Sequence, residues 1–309
     1  MNKIAIIDIG SNSLRLVIVK LNSCKEYEIL DEIKETVRLG DEADSSFNLS
    51  TEKASLALGC LKIFKNLCNT LSIHHIIAVA TEAVRRAPNK NIFIKPGEVI
   101  LNSKIRVLSG EEEAFYDFLG LKDTISSQSG LILDIGGSSS ELILMKERQI
   151  SRKLSIPYGA IGLTKKFNLE NEVSLANKIE LEAFLTDIYK NITWLNEVRN
   201  LPLIGIGGSF RSLGNIHKIY TDSGNTYLHN YKIHSSDAFD IYDSLTPLPL
   251  NKKRMVRGLS KERADIFIAS LSEITILVKY CNISEIIFSS KGLREGLIEE
   301  YMIQCCICK

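Results

Sequence analysis

Polar turns rich in glycine and serine recur in this 309-residue chain, each directly after an apolar run. Asp8 precedes the turn Gly10-Ser11-Asn12-Ser13, and Asp134 precedes the turn Gly136-Gly137-Ser138-Ser139. A third turn is Gly207-Gly208-Ser209. The backbone N–H groups and hydroxyls of such turns converge on one point, which suits them to bind phosphate without cationic side chains. A single turn is usually an ordinary tight hairpin, but three of them after strands favour phosphate binding.

Asp8 and Asp134 each stand near the end of a strand-like apolar run. A carboxylate there is costly unless a cation or hydrogen bonds compensate its charge. A hard cation such as Mg2+, which also contacts phosphate oxygens, would do so. The alternative for either residue is a carboxylate that only accepts hydrogen bonds from turn amides, because Asp is common in turns.

Three consecutive glutamates, Glu111, Glu112 and Glu113, stand at the start of a predicted helix. Ser109 with Glu112 three residues later fits a capping box, which explains Glu112 structurally. Adjacent helical residues point about 100° apart, so Glu113 can face a ligand while Glu112 caps the helix. The alternative is that all three glutamates only favour the positive end of the helix dipole.

Two groups of cations could contact phosphate. Arg85 follows a predicted buried strand, and a guanidinium group binds phosphate through two parallel hydrogen bonds. The densest basic stretch contains Lys252, Lys253, Arg254, Arg257, Lys261 and Arg263. It is either a solvated surface or a path along which a chain of phosphates could lie.

Composition and missing motifs exclude several classes of protein. Lys and Arg number 38 and Asp and Glu 37, so the net charge of +1 argues against a duplex-DNA-binding coat. The sequence contains neither a P-loop, nor a Gly-x-Gly-x-x-Gly opening a helix, nor a nucleophile elbow. Asp8 interrupts what would be the core of a signal peptide, and no apolar run approaches about 18 residues. With seven scattered or C-terminal cysteines, we expect a soluble cytoplasmic protein with reduced thiols and no membrane contact.

The elements that carry these residues form two similar halves. Asp8 and Asp134 occupy equivalent positions in two copies of an apolar run, an acid, a turn and a second apolar run, which predicts two β-hairpins. A third strand follows each hairpin, at 27–39 and 150–158. Alternating helices and strands come next, and they predict an α/β fold with largely parallel strands after the hairpins.

The periodicity also predicts particular elements and domain boundaries. Helices are expected from Ser50 or Thr51, over 110–121, over 172–198 and over 263–279, and buried strands at 76–80, 105–108, 203–206 and 283–289. We expect domains at 1–122 and 123–296, a hinge at 122–129, and a last helix at 297–309 that packs back on the first domain. A ligand should lie in the cleft between the halves.

Taken in order, these residues resemble the exopolyphosphatase/guanosine pentaphosphate phosphohydrolase family of the actin-like ATPase superfamily. The resemblance runs nearly end to end and is carried by Asp8–Ser13, Arg85, Ser109–Ala114, Asp134–Glu141, Gly207–Ser209, Arg263–Asp265 and Gly292–Gly296. It implies duplicated actin-like (ribonuclease H-like) α/β domains with an interdomain cleft. It also implies a homodimer.

The resemblance further implies a reaction, namely Mg2+-dependent removal of the terminal phosphate of polyphosphate or the 5′ γ-phosphate of guanosine pentaphosphate. Glu113 would orient the attacking water and Arg85 would position the phosphoryl group. Asp134 and Glu141, with Asp8, would hold Mg2+. The three turns, residues 10–13, 136–139 and 207–209, would bind phosphate.

The sequence departs from the family pattern at Ser138 and Ser140, which stand where a third glycine and a threonine are usual. The chain resembles the short, two-domain form of the family. Two alternatives to polyphosphate hydrolysis stay open: a guanosine pentaphosphate phosphohydrolase, and a non-catalytic sensor of guanosine tetra- or pentaphosphate. A sugar kinase is less favoured because nothing in the sequence marks a sugar site.

Overall fold

The computed structural model describes residues 3–22, 26–41, 46–222, 224 and 227–307. The chain divides into two compact units. The first unit is Met1–Gly120 with Leu293–Lys309, and the second is Leu121–Gly292. Each unit contains one mixed β-sheet with helices, so the predicted α/β fold class is confirmed.

The two sheets share one strand order. The first contains β1 (Lys3–Ile9), β2 (Leu14–Leu21), β3 (Tyr27–Glu35), β4 (Ile76–Ala80) and β5 (Ile105–Val107), paired as β3-β2-β1-β4-β5. The second contains β6 (Gly130–Ile135), β7 (Ser140–Lys146), β8 (Gln149–Ile156), β9 (Leu203–Ile206), β10 (Lys232–His234) and β11 (Glu285–Phe288), paired as β8-β7-β6-β9-β11-β10. In both, a three-stranded antiparallel meander continues into parallel strands, which is the duplicated architecture that the repeat predicts.

Eleven helices of the described chain surround these sheets. They are α1 (Thr51–Thr70), α2 (Glu82–Arg85), α3 (Asn91–Leu101), α4 (Gly110–Leu121), α5 (Ala160–Phe167), α6 (Leu175–Lys190), α7 (Gly207–Tyr220), α8 (Ser235–Leu245), α9 (Leu250–Lys253), α10 (Phe267–Cys281) and α11 (Leu293–Ile307). None of these described helices has both the length and the apolarity needed to cross a membrane.

Two predicted helices have different bounds in the structure. The expected helix 172–198 is wrong, because α6 begins after Ser174, whose hydroxyl accepts from Asn177 N at 3.1 Å, and ends at Lys190. A 3₁₀ turn over Thr193–Val198 follows and buries Leu195 and Val198, so the apolar periodicity continues past the break in the helix. The helix expected over 263–279 begins at Phe267, after a 3₁₀ turn at Lys261–Arg263.

The first sheet is covered on both faces. Alternate residues of β1 point to opposite sides: Ala5, Ile7 and Ile9 pack in the core that contains α1 and α3, whereas Ile4 and Ile6 pack with α11. The C-terminal helix therefore completes the first unit. This packing holds the end of β1, and with it the first turn, between two layers of helix.

One face of the second sheet packs in one large core. Leu131, Leu133 and Ile135 of β6 pack there with residues of α5, α6, α7 and α10. Helix α10 is buried along nearly its whole length. The carboxyl ends of β6 and β9, where the second and third turns begin, are thus fixed by surrounding helices.

Candidate functional site

The structure places the candidate residues in two groups, one in each unit. In the first unit, α2 begins directly after β4 and α4 begins shortly after β5. Because β4 and β5 are neighbouring parallel strands, the two helices start at the same edge of the sheet. Arg85 of α2 therefore lies next to Glu113 of α4.

Arg85 is held by acceptors on two sides. Its Nη1 donates to Glu113 Oε2 at 2.6 Å and to the carbonyl oxygen of Leu108 at 2.6 Å, and its Nη2 donates to Glu82 Oε2. Glu82 and Glu113 are both buried. Burial alone would lower the pKa of Arg85, but the charges of Glu113 and Glu82 outweigh that effect and raise the pKa above its ordinary value. Sequence reasoning missed Glu82, although its i,i+3 spacing from Arg85 was visible.

The neighbouring glutamate has the structural role expected of it. Glu112 N donates to Ser109 Oγ at 3.2 Å, and Ser109 N donates to Glu112 Oε2 at 2.7 Å. This reciprocal pair is the predicted capping box. It occupies Glu112 at the helix start, while Glu113 points to Arg85.

The negative charge of Asp8 is offset by a cation of the same unit. Arg294 Nη1, at the start of α11, donates to Asp8 Oδ2 at 3.1 Å, and both side chains are largely buried. Burial would lower the pKa of Arg294, but the charge of Asp8 contributes to raising it. The charge of Asp8 is therefore compensated without a metal ion, and its place among Mg2+ ligands stays a prediction.

The first turn contains a buried amide side chain. Gly10 N donates to the carbonyl oxygen of Ser13 at 3.1 Å, which closes the turn around Ser11 and Asn12. Ser11 and Asn12 are both buried, and neither Oδ1 nor Nδ2 of Asn12 has a hydrogen-bond partner among the described residues. Such atoms are costly to bury unless something else satisfies them. A bound phosphate oxygen could accept from Nδ2.

The second turn repeats the geometry of the first. Gly136 N donates to the carbonyl oxygen of Ser139 at 2.9 Å, and the N-terminal amides of α5 bind the carbonyl oxygens of Gly136 and Gly137. Ser138 and Ser139 are buried. The turn is therefore closed even though Ser138 stands where the family usually has glycine.

Asp134 and Glu141 are cross-strand neighbours on β6 and β7. Opposed residues of an antiparallel pair project from the same face of a sheet. Glu141 is 2% exposed, and its Oε1 accepts from Ser155 Oγ at 2.8 Å. The hairpin thus places the two carboxyl groups predicted to bind Mg2+ side by side.

The third predicted turn, residues 207–209, forms the start of helix α7 and lies against Asp134. Gly207 has a φ of +83°, and a Cβ at this position would come within 2.3 Å of Asp134 Oδ1. Gly207 is also the first residue of α7, so the carboxylate of Asp134 lies at the positive end of that helix. The structure thereby brings the second hairpin and the third turn together.

Arg263 covers the other glycine of the third turn. A Cβ on Gly208 would come within 2.3 Å of the Arg263 guanidinium, whose Nη1 is 3.5 Å from Ser209 Oγ. Ser209 Oγ also donates to Ser270 Oγ of α10 at 2.8 Å. The sequence placed Arg263 in the basic stretch and in a segment that carries the family resemblance, but it did not predict this contact, because residues 208 and 263 lie far apart in the chain.

A buried glutamate on α10, Glu273, was also missed. It is 2% exposed, and its Oε2 has no partner within the described part of the chain. Burial, together with the negative charge of Asp134, raises the pKa of Glu273 to about 8, although the Ser140 hydroxyl opposes the increase. The Ser140 Oγ is also buried, and it makes no hydrogen bond of ordinary length and angle within the described residues. The apolar residues near Glu273 in the sequence, among them Leu271, Ile274 and Leu277, are the signal from which its burial could have been predicted.

The residues present fit one divalent cation only in part. Mg2+ in proteins is commonly bound by one or two carboxylates together with substrate phosphates and water, and Asp134 with Glu141 is such a pair. Among the described residues, no three His, Cys, Asp or Glu side chains form a metal site. A cation bound here would therefore complete its coordination with water and substrate oxygens.

The basic stretch is not a uniform cationic surface. Lys253 is fully buried, and its Nζ donates to the carbonyl oxygens of Glu170 at 2.9 Å and Asn171 at 2.7 Å. Burial lowers the pKa of Lys253 to about 8. Lys253 thus fixes a loop, while Lys252 and Arg254 are exposed.

Sequence comparisons relate the chain to known proteins. The sequence model of the Ppx/GppA phosphatase family matches residues 17–304. The chain is 29% identical over 96% of its length to a bifunctional 3-dehydroquinate synthase/phosphatase of Fusobacterium nucleatum, and covers 46% of that protein. It is 27% identical over 96% of its length to a guanosine-5'-triphosphate,3'-diphosphate pyrophosphatase of Photobacterium profundum, and covers 59% of that one. The chain thus spans about half the length of the curated relatives it matches.

A comparison with solved structures supports the fold. The crystal structure of an exopolyphosphatase from Cytophaga hutchinsonii superimposes with a TM-score of 0.91 at 23% sequence identity, covering 98% of each chain. At this level of identity the similarity establishes the fold of the two units and nothing about the substrate.

Proposed function

Because the chain belongs to the Ppx/GppA phosphatase family, we propose that it hydrolyses the terminal phosphoanhydride bond of inorganic polyphosphate. The observation that carries the proposal is the buried carboxylate of Glu113, fixed by Arg85 at the start of α4. A fixed carboxylate can orient a water molecule for in-line attack on phosphorus. In this scheme the new P–O bond forms as the bond to the bridging oxygen breaks. The products are orthophosphate and a chain one phosphate shorter.

Most of the protein's contribution would be positioning and charge stabilisation. In the first unit, the Asn12 amide and the N–H groups of its turn would donate to phosphate oxygens. In the second unit, the same role falls to residues 136–139 and 207–209, with Arg263 as the cation on the third turn. The buried, unsatisfied amide of Asn12 supports this assignment, because a phosphate oxygen would satisfy its Nδ2.

Mg2+ would be held by Asp134 and Glu141, and when bound it would offset the negative charge of the phosphoryl oxygens. Gly207 leaves space for the Asp134 carboxylate at the start of α7. Glu141 is kept in place by Ser155.

A second candidate substrate is guanosine pentaphosphate. Curated relatives that are 27% and 28% identical over 96% of this chain are named guanosine-5'-triphosphate,3'-diphosphate pyrophosphatase. The bond cleaved would again be a terminal phosphoanhydride, so the same Glu113 and the same turns would serve. The two substrates differ in what lies beyond the second phosphate.

The test is the release of orthophosphate, measured with Mg2+ from polyphosphate and from guanosine pentaphosphate in parallel. We expect turnover of polyphosphate with the larger kcat/KM, and loss of turnover when Mg2+ is chelated. A larger kcat/KM for the nucleotide would select the second candidate. Stoichiometric nucleotide binding without phosphate release would contradict both and indicate a non-catalytic sensor.

A further inference from the structure

Glu82 has no part in the phosphoryl chemistry described above, and we propose that it is a positioning residue that holds Arg85 on Glu113. The proposal rests on the proposed function, since it concerns the carboxylate that would orient the water. Glu82 would act through Arg85 and would contact neither the substrate nor the attacking water.

The geometry fixes both outer nitrogens of Arg85. Nη1 is held by Glu113 and by the carbonyl oxygen of Leu108, and Nη2 is held by Glu82. A guanidinium group is planar, so acceptors on both nitrogens set its orientation as well as its position. Without Glu82, the planar group could turn about the Cδ–Nε bond and move Nη1 away from Glu113.

Charge supports the same role. One guanidinium lies between two buried carboxylates, so the Glu82, Arg85 and Glu113 side chains together carry a net charge of −1 when both acids are ionised. The positive charge of Arg85 is already neutralised inside the protein. These bonds use three of the five N–H groups of the guanidinium, so the orientation that Glu82 helps to set also fixes the direction of the other two.

Helix stabilisation alone does not account for Glu82. An acidic residue in the first turn of a helix is favoured by the dipole. However, α2 has only four residues, and the Glu82 carboxylate is directed to Arg85.

The experiment compares kcat and KM for polyphosphate in the wild type and in three variants. Glu82→Ala removes the acceptor, and Glu82→Gln keeps an acceptor oxygen while it removes the charge. Glu98→Gln is the matched control, because Glu98 of α3 in the same unit binds Lys104 and the Ile105 amide. Thermal unfolding of each variant confirms that it is folded.

We expect Glu82→Ala to lower kcat about tenfold with KM changed less than about twofold, because only the orientation of the reacting water is lost. Glu82→Gln should recover part of kcat, and Glu98→Gln should match the wild type. A lower KM with unchanged kcat in Glu82→Ala would overturn the proposal, because it would mean that Glu82 competes with phosphate for Arg85. Unchanged kinetics in Glu82→Ala would also overturn it.

A double-variant cycle tests whether Glu82 acts through Arg85. In an Arg85→Met background, Glu82→Ala should have no further effect on kcat. Losses that add in full would show that Glu82 acts independently of Arg85, against the proposal.

Failure of the proposed function can be separated from failure of this inference. If the wild type releases no phosphate from either substrate, the proposed function fails. The position of Arg85 relative to Glu113 is then measured in crystal structures of the wild type and of Glu82→Ala. The proposal then requires the 2.6 Å separation of Arg85 Nη1 and Glu113 Oε2 to be lost in the variant. Retention of that separation would overturn it.

Discussion

Arg85 Nη1 and Glu113 Oε2 are separated by 2.6 Å, although the two residues lie 28 positions apart in the chain. Two adjacent parallel strands cause this proximity, because the helices that follow β4 and β5 begin at one edge of the sheet. In the second unit a single hairpin has the same effect, since it places Asp134 opposite Glu141. Both arrangements follow from the repeated topology, in which acids and turns stand at the ends of strands.

Removal of the Arg85 cation should destabilise the protein. Arg85→Ala removes the guanidinium that the buried carboxylates of Glu82 and Glu113 share, and we expect the free energy of unfolding to fall by about 3 kcal/mol. Urea denaturation at neutral pH measures the change. Lys104→Ala is the control, because that lysine is exposed and its pair with Glu98 should contribute less than about 1 kcal/mol. Equal losses in the two variants would contradict the account.

Gly207→Ala should damage the third turn. The residue has a φ of +83°, and its new Cβ would lie 2.3 Å from Asp134 Oδ1, so the turn or the carboxylate must move. We expect a loss of about 1–3 kcal/mol in the free energy of unfolding and a higher KM for polyphosphate. Gly162→Ala in α5 has open space at its Cβ and should be neutral or slightly stabilising. A Gly207→Ala variant with wild-type stability and KM would show that the turn tolerates a side chain.

Asn12→Leu should weaken substrate binding without lowering the stability of the protein. Both polar atoms of the Asn12 side chain are buried and lack partners within the described residues, so an apolar side chain of similar size removes a desolvation cost. We expect an unchanged or higher Tm, together with a KM for polyphosphate raised about tenfold. A lower Tm with an unchanged KM would mean that the amide serves the fold and binds no phosphate.

The sequence predicts the fold and much of the candidate site for a physical reason. Asp8, Asp134 and the first two turns stand in a repeated pattern, and strand pairing then determines where their neighbours lie. The capping box at Ser109 and Glu112 is likewise local, so it could be identified from spacing alone.

The features that sequence reasoning missed depend on contacts between distant segments. Arg263 reaches Gly208, Arg294 reaches Asp8, and no local pattern records either contact. Helix α3 was missed because Pro96 and Gly97 within it oppose helix formation, although packing against α1 stabilises it. The break after α6 was hidden because the residues beyond it, Leu195 and Val198, face the same core.

Glu273 should make stability depend on pH. Its folded pKa of about 8 lies above the ordinary value of 4.5, so the folded protein keeps a proton that the unfolded chain releases. This contribution to stability is complete below about pH 4.5 and is lost as pH rises toward 8. Glu273→Gln cannot ionise, so its stability relative to wild type should increase by about 1.4 kcal/mol per pH unit between pH 5 and 8. Chemical denaturation across this range measures the difference. A difference that is independent of pH would show that Glu273 ionises normally in the folded protein.

The central claim is that Glu113 orients the water that attacks the terminal phosphorus, and the kinetics of Glu113→Gln test it most directly. The matched control is Glu112→Gln, because Glu112 caps the same helix. Orthophosphate release from polyphosphate with Mg2+ should show kcat reduced about 10²- to 10⁴-fold in Glu113→Gln, with KM within about threefold of wild type. Glu112→Gln should keep its kcat. A wild-type kcat in Glu113→Gln would contradict the account.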